Sequence, residues 1–245
     1  LFLSINHINK LVFKNIKVDK YCIDSKNCDT RSASKLYEDT KKNKQPILPN
    51  FTPVYEFQKK NFQNYKLNNG KEIFPLSKIS NQMTSMCNEA GEWIIYKTDH
   101  FGFNNSVKDY NNADIIILGD SYVEGHCSKP ENNIAGQIDE NTNLKIINLG
   151  LAGSGPLMML ATLEEYTVKF KPKNIVWYHF HNDIVNLQRY EKNNDILKNY
   201  LNIQKFEQNL ISRQDEIDKV IKEYIYKELD KDIFAKDFSY KTLSR

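Results

Sequence analysis

The chain of 245 residues carries 34 basic and 31 acidic side chains, a formal net charge of +3. It is long enough to bury a full-sized core, most simply as one α/β domain with additions. The lysines are interleaved with acidic residues and form no basic stripe, so charge gives no support for nucleic-acid binding. No run reaches the roughly 20 apolar residues of a membrane-spanning helix, and the N-terminus lacks a signal-peptide pattern.

The first part of the chain predicts two additions to the main domain. Residues 1–50 mix short apolar pieces with DTRSASKLYEDTKKNKQ, a charged stretch typical of a surface helix followed by a linker. The prolines of PILPNFTP interrupt helix, because each removes a backbone donor and disfavours helix just before it. Residues 51–110 are turn-rich and strand-like, with EWIIYKTD the clearest strand. We therefore expect an N-terminal extension over 1–50 and an appendage over 51–110.

The cysteines do not decide the redox compartment. Cys22 and Cys28 are near enough in sequence to close a small loop, and a pair of free thiols is an equal alternative. Cys87 and Cys127 have no evident partners in the sequence.

From residue 111 to 245 the pattern is that of an α/β domain. ADIIILG, LKIINLG and KNIVWYHF are apolar runs about thirty residues apart, typical of parallel strands covered on both faces. ENNIAGQIDENT and GPLMMLATLEEYTVKF lie between them and have helical length and period, so the order is β-α-β-α-β. An amphipathic helix is predicted over 206–229, with an apolar face made by Phe206, Leu210, Ile217, Ile221 and Ile225.

Small or polar residues follow each predicted strand, where the carboxyl ends of parallel strands bring a site together. Ser121 follows the first strand in Gly-Asp-Ser and is either a nucleophile on a tight turn or, with Asp120, a helix cap. Gly153 follows the second strand and is either an oxyanion donor or part of a plain glycine-rich turn. Asn182 follows the third strand, and its side-chain amide is suited to stabilising an oxyanion. His179, His181 and Asp183 also suggest a metal site, but no further ligand is placed to complete it.

In this order, GDSYVEG, NLGLAG and HND resemble blocks I, II and III of the SGNH (GDSL-like) hydrolases. The flanking segments CDTRS, ISNQMTSMCNEAGEWIIYKTDHFGFNNS and FEQNLISRQDEIDKVI resemble SGNH-type proteins that accompany bacterial surface-polysaccharide genes. The resemblance implies a flavodoxin-like three-layer α/β/α fold with a parallel sheet, and esterase or acyl-transfer chemistry without metal or other cofactor.

The resemblance also implies roles for individual residues. Ser121 is the expected nucleophile and donates its own N–H to the oxyanion, Gly153 supplies a second backbone N–H, and Asn182 a side-chain N–H. We expect these groups to converge around one small cavity. The implied substrate is an acylated carbohydrate or another small ester. The implied location is the cell envelope or periplasm, with a membrane anchor upstream of this chain, and a cytoplasmic location is the alternative.

The sequence departs from the family pattern at two points. Phe180 stands where block III usually has glycine, so its ring is expected to narrow the pocket or shift Asn182. No histidine follows His181, so the Asp-x-x-His segment that provides the family's base is expected beyond Arg245. His126, His179 and His181 are the local substitutes, and His181 is expected to face away from the serine because side chains alternate along a strand.

Two functional hypotheses follow from these observations. The first is a serine-dependent esterase or O-acyltransferase acting on acetyl or other acyl esters of a carbohydrate. The second is a catalytically inactive SGNH-like module that binds a glycan or a protein, which the missing base and Phe180 favour.

Overall fold

The computed structural model describes residues 28–59, 64–67, 70–89, 91–106 and 109–230. The strands in this part of the chain are β1 Leu48–Pro49, β2 Tyr65–Lys66, β3 Glu72–Ile73, β4 Met83–Cys87, β5 Ile94–Lys97, β6 Ile115–Leu118, β7 Ile146–Asn148 and β8 Asn174–Trp177. The α-helices are α1 Ala33–Thr40, α2 Pro53–Lys59, α3 Ser121–Glu124, α4 Ile134–Asn141, α5 Pro156–Thr162, α6 Val168–Phe170, α7 Asp183–Arg189, α8 Asp195–Asn202 and α9 Gln214–Asp230.

A parallel sheet is at the centre of the α/β part, with β6 between β7 and β8. Ile115 is in register with Ile146 on one side and Asn174 on the other. Helix α4 connects β6 to β7, and α5, a π-helical turn over Leu163–Thr167 and α6 connect β7 to β8. The predicted α/β class and β-α-β-α-β order are therefore confirmed.

The side chains of β6 alternate between two apolar clusters, as the period of a strand requires. Ile116 and Leu118 belong to the larger cluster, whereas Ile117 packs with Val123 of α3 and Ala135 of α4 in the smaller one. Each fully buried aliphatic side chain contributes about 1.5–3 kcal/mol relative to an exposed one. Both faces of β6 therefore hold it in place immediately before the turn to Ser121.

Strand β8 differs from the prediction that all these strands are covered on both faces. Ile175, Val176 and Trp177 are 48%, 41% and 41% exposed. Strand β8 is an edge strand of the three-stranded sheet, and no other strand in the described part of the chain pairs with its outer edge. The apolar run was a correct sign of a strand, but the expectation of full coverage was wrong for β8.

The N-terminal part forms its own short strands but shares the main apolar core. Strand β1 pairs in parallel with β4, β4 pairs antiparallel with β5, and β2 and β3 form a hairpin. The predicted strand in EWIIYKTD is β5, and the predicted surface helix is α1, capped by the Ser32 hydroxyl, which accepts from the Lys35 N–H. The larger cluster contains Leu48 and Phe74 as well as Leu118. The domain limits stay a prediction, and the apolar pieces predicted in residues 1–27 lie outside the described residues.

The amphipathic C-terminal helix begins later than predicted. Residues 206–209 are not helical, because the Leu210 N–H donates to Oε2 of buried Glu165 at 2.8 Å and Asn209 has φ 59°. A 3₁₀ turn over Leu210–Arg213 then leads into α9. The predicted apolar face is confirmed within α9 for Ile217, Ile221 and Ile225, which are buried in the larger cluster. Phe206 and Leu210 pack in the same cluster from outside the α-helix.

A disulfide joins the appendage to the segment after α3. Cys87 at the end of β4 is bonded to Cys127, with their Cα atoms 5.5 Å apart. This pairing could not be predicted from the sequence, in which neither cysteine has an evident partner. Cys22, the other half of the suggested Cys22–Cys28 loop, lies outside the described residues. None of the described helices combines the length and apolar composition needed to cross a bilayer.

Candidate active site

The three chain segments that follow β6, β7 and β8 lie side by side at the carboxyl edge of the sheet. The Leu151 N–H donates to the Gly119 carbonyl at 3.1 Å, and the Tyr178 N–H donates to the Leu118 carbonyl at 2.8 Å. These bonds continue the pairing of the strands into the turns. The sequence-predicted residues Ser121, Gly153 and Asn182 all belong to these segments.

Ser121 is the first residue of α3, and the cap of this helix is Asp120. Oδ1 of Asp120 accepts from the Tyr122 N–H at 3.0 Å, so the Ser121 hydroxyl is not needed as a cap. The strand-to-helix turn is tight, because a Cβ on Gly119 would lie 2.4 Å from Cγ2 of Val123. The N–H and hydroxyl of Ser121 have no hydrogen-bond partner among the described residues, and the side chain is partly exposed.

Gly153 lies in the turn after β7 with φ +78°, a left-handed conformation that glycine adopts without strain. A Cβ here would lie 2.6 Å from Cγ1 of Val54 in α2, so the turn also requires a residue without a side chain. The Gly153 N–H has no hydrogen-bond partner within the described ranges. A backbone donor without a partner is what the predicted oxyanion role requires.

Asn182 is tied to the residue before the serine. Its Nδ2 donates to Oδ2 of Asp120 at 3.2 Å, which leaves the second amide hydrogen without a partner in the described part of the chain. Its Oδ1 is buried and unpartnered among the same residues. The Phe180 ring, expected to narrow the site or shift Asn182, packs against the Tyr122 ring with centroids 4.5 Å apart and planes tilted by 47°.

A histidine–aspartate pair at the end of β8 was missed as a pair by sequence reasoning. Nδ1 of His179 lies 2.8 Å from Oδ2 of Asp183, and the same oxygen accepts from the Phe180 N–H at 2.7 Å. The Asp183 side chain is fully buried, whereas the His179 side chain is 51% exposed. Burial raises the pKa of Asp183, and the nearby Asp120 adds to the rise, while the Phe180 N–H and His179 oppose it.

A buried ion pair connects α3 with the turn that carries Gly153. Lys78 Nζ contacts Oε1 of Glu124, and Oε2 of Glu124 accepts from the Ala152 N–H at 2.7 Å. Lys78 also donates to Asn50 Oδ1 at 2.7 Å and to the Tyr96 hydroxyl at 3.0 Å. Burial alone would lower the pKa of Lys78, but Glu124 and Tyr96 together outweigh it and the pKa is raised. The lysine is therefore charged, and the pair fixes α3 against the glycine turn.

A second buried carboxylate holds the start of α5. Glu191 accepts from the N–H groups of Gly155 at 2.5 Å, Leu157 at 2.9 Å and Met158 at 3.3 Å. These are N–H groups that the first turn of a helix leaves without internal partners. Burial raises the pKa of Glu191 to about 7, although the three N–H groups act in the opposite direction.

No group of three or more His, Cys, Asp and Glu side chains in the described ranges is arranged to hold a metal ion. A small recess has Leu48, Lys78 and Ile225 among its lining residues, so the N-terminal part and α9 both contribute to it. Ser121, Gly153 and Asn182 do not line it. The convergence of these three groups on one cavity stays a prediction.

Comparison with known proteins gives no independent assignment of this edge. No family model matches the chain, and no curated protein or solved structure matches it significantly. The roles of Ser121, Gly153 and Asn182 therefore depend on the sequence motifs and on the contacts described above.

Proposed function

We propose that the protein is a serine-dependent ester hydrolase or O-acyltransferase of the SGNH type, acting on acetyl or other acyl esters of a carbohydrate. One observation at the carboxyl edge of the sheet carries the proposal. Ser121 begins a helix there, and its hydroxyl makes no hydrogen bond to the described residues. The Gly153 N–H and one amide hydrogen of Asn182 also have no partner among these residues. The strand order β7-β6-β8, with apolar clusters on both faces of β6, supports a flavodoxin-like three-layer arrangement.

In the proposed reaction, Oγ of Ser121 attacks the acyl carbonyl carbon as its hydroxyl proton passes to a general base, and the carbonyl electrons move onto the carbonyl oxygen. The N–H groups of Ser121 and Gly153 and the side-chain N–H of Asn182 stabilise this oxyanion. Collapse of the intermediate breaks the ester C–O bond, the sugar oxygen takes the proton back from the base and leaves as a hydroxyl, and the acyl group stays on Ser121. Water or a second hydroxyl then accepts the acyl group, which gives hydrolysis or transfer.

A non-catalytic binding module is the second candidate, and the Phe180 ring against Tyr122 favours it. The two aromatic rings flank the same edge, and aromatic faces with polar neighbours are suited to contact a sugar ring. This candidate predicts binding of an acetylated glycan without turnover.

The two candidates are separated by assaying hydrolysis of an aryl acetate and of an O-acetylated oligosaccharide. Ser128 is a matched control for Ser121, because it lies in the segment after α3 with similar partial exposure. We expect Ser121→Ala to abolish hydrolysis and Ser128→Ala to retain it. Equal activity in the two variants would overturn the catalytic proposal, and binding of the oligosaccharide without any hydrolysis would favour the module.

A further inference from the structure

Three aromatic side chains, Tyr122, Phe180 and His181, form a cluster beside the proposed nucleophile. The Tyr122 and Phe180 rings pack with centroids 4.5 Å apart and planes tilted by 47°. The Phe180 and His181 rings pack with centroids 4.4 Å apart and planes tilted by 53°. Tyr122 is 51% exposed and His181 is also exposed, whereas Phe180 between them is partly buried. We call these three side chains the aromatic cluster.

The aromatic cluster is connected to the candidate active site through two chain segments. Tyr122 directly follows Ser121 in α3. Phe180 lies two residues before Asn182, whose Nδ2 donates to Oδ2 of Asp120 at 3.2 Å, and Asp120 directly precedes Ser121. An exposed aromatic ring is therefore the chain neighbour of the residue that we propose attacks the ester.

The exposed rings suit a sugar ring better than a long acyl chain. The face of an aromatic ring carries negative charge density, which attracts the C–H groups on the apolar face of a pyranose. The Tyr122 hydroxyl and the ring nitrogens of His181 have no hydrogen-bond partner among the described residues, and both can pair with sugar hydroxyls. An acyl chain would gain more from an enclosed apolar pocket, which exposed rings do not provide.

The packing of the cluster also prepares the Tyr122 ring for a ligand. An exposed side chain loses rotamer freedom when a ligand fixes it, and that loss weakens binding. The Phe180 ring restricts Tyr122 before a ligand arrives, so less freedom remains to be lost. Phe180 stands where block III of the family pattern usually has glycine. The departure from the pattern therefore supplies the ring that holds Tyr122.

We propose that Tyr122, held by Phe180 and flanked by His181, binds the pyranose ring that bears the acyl group, an inference that rests on the proposed acyl-transfer function. In that reaction the pyranose is the leaving group, so the aromatic cluster selects esters by their alcohol half. The contacts lie away from the bonds that form and break. They stabilise the bound substrate and the transition state equally, and their loss raises KM with little change in kcat.

Binding is tested first in Ser121→Ala, which holds an ester without cleaving it. The probe is a mono-O-acetylated methyl glucoside, and its dissociation constant is measured by NMR titration. Adding Tyr122→Ala should weaken binding by about fivefold to tenfold, the range expected for an aromatic contact. Adding Tyr122→Phe instead should keep the dissociation constant within about threefold, because the ring face is retained.

Tyr226 provides the matched control for Tyr122. It is 40% exposed on α9, and its ring packs against Tyr37 of α1 with centroids 6.2 Å apart. It is therefore an exposed tyrosine in another aromatic pair, on a helix that does not follow a strand of the parallel sheet. Tyr226→Ala in the Ser121→Ala background should bind the glucoside as Ser121→Ala alone does.

Hydrolysis is then measured with Ser121 intact, on the acetylated glucoside and on ethyl acetate, whose alcohol half has no ring. The ratio of kcat/KM for the glucoside to kcat/KM for ethyl acetate reports selection of the sugar. We expect this ratio to fall by about fivefold to tenfold in Tyr122→Ala and in Phe180→Ala, through KM for the glucoside. Tyr226→Ala should leave the ratio unchanged.

The outcomes separate this inference from the proposed function. If Tyr122→Ala and Tyr226→Ala bind the glucoside equally well in the Ser121→Ala background, or if Ser121→Ala does not bind it, the sugar site is overturned. An equal loss of kcat/KM on both esters in Tyr122→Ala also overturns it, because the effect then does not belong to the sugar ring. If the glucoside binds through Tyr122 but no hydrolysis depends on Ser121, the catalytic proposal fails and the sugar site stands.

Discussion

Lys78 and Glu124 form an ion pair whose side chains are only 5% and 1% exposed. Lys78 comes from the appendage, and Glu124 ends the short helix that Ser121 begins. The pair therefore links the N-terminal part of the chain directly to the candidate active site. Since Glu124 also accepts from Ala152, the spacing between α3 and the Gly153 turn depends on it.

We expect Glu124→Gln to lower the free energy of unfolding by about 3–5 kcal/mol, because it leaves the buried Lys78 charge without its partner. Urea unfolding measures this change. The double variant Lys78→Met, Glu124→Leu should lose less than the single variant, since it removes both charges. As a control, Lys173→Met at the exposed Lys173–Asp114 pair should have a much smaller effect. A double variant less stable than Glu124→Gln would contradict this account.

Replacing Asn182 by Ala is expected to lower kcat by roughly 10²–10³-fold with little change in KM, because the lost amide hydrogen acts in the transition state. Asn186, in the next turn of α7, provides the control, since its Nδ2 donates instead to the Ser154 carbonyl at 3.3 Å. Asn186→Ala should retain kcat. Similar losses in both variants would mean that the effect of Asn182 is structural.

The Cys87–Cys127 disulfide closes a loop with a sequence separation of 40 residues. Chain-entropy arguments give about 4 kcal/mol of stabilisation for a loop of this length. Thermal unfolding should show similar losses of stability in Cys87→Ser, in Cys127→Ser and in the double variant, because each removes the same bond. Peptide mapping without reduction should find the two cysteines linked. A double variant that loses the sum of the two single losses would show that no such bond exists.

Glu191 should make stability fall with rising pH. Its pKa of about 7 in the folded protein lies above the ordinary 4.5, so the folded state binds the proton more tightly than the unfolded chain. The resulting stabilisation is complete below about pH 4.5 and is lost as pH rises through about 7. Urea unfolding measures the free energy of unfolding at pH 5 and at pH 8. Between these two pH values it should fall more for the unaltered chain than for Glu191→Gln. If the free energy of unfolding falls equally in the unaltered chain and in Glu191→Gln, the pKa of Glu191 is not raised.

Several parts of the fold could be predicted from local pattern. The runs ending at Leu118, Asn148 and Trp177 are short and apolar enough to indicate strands, and glycine or polar residues mark where each ends. The edge position of β8 could not be predicted, because an apolar run does not show whether a neighbouring strand covers it. Helix α8 was missed although Asn194 caps it, with Leu197 and Tyr200 on one face.

The candidate site was predictable only where it depends on short motifs. Ser121 and Asn182 stand in motifs that can be read directly. Nothing in the sequence pairs Glu124 with a lysine 46 positions away, since only the folded chain brings them together. The i,i+4 spacing of His179 and Asp183 was visible, but it indicates contact in a helix, and here the two residues meet across a turn.

If Ser121 is the nucleophile, its hydroxyl will react covalently with a serine-directed probe. The unaltered protein is treated with a fluorophosphonate probe, and the adduct is located by mass spectrometry of its peptides, with Ser121→Ala and Ser128→Ala treated in parallel. We expect one adduct, on Ser121, that is lost in Ser121→Ala and retained in Ser128→Ala. Labelling that persists in Ser121→Ala, or no labelling of the unaltered protein, would contradict the assignment of Ser121 as the nucleophile.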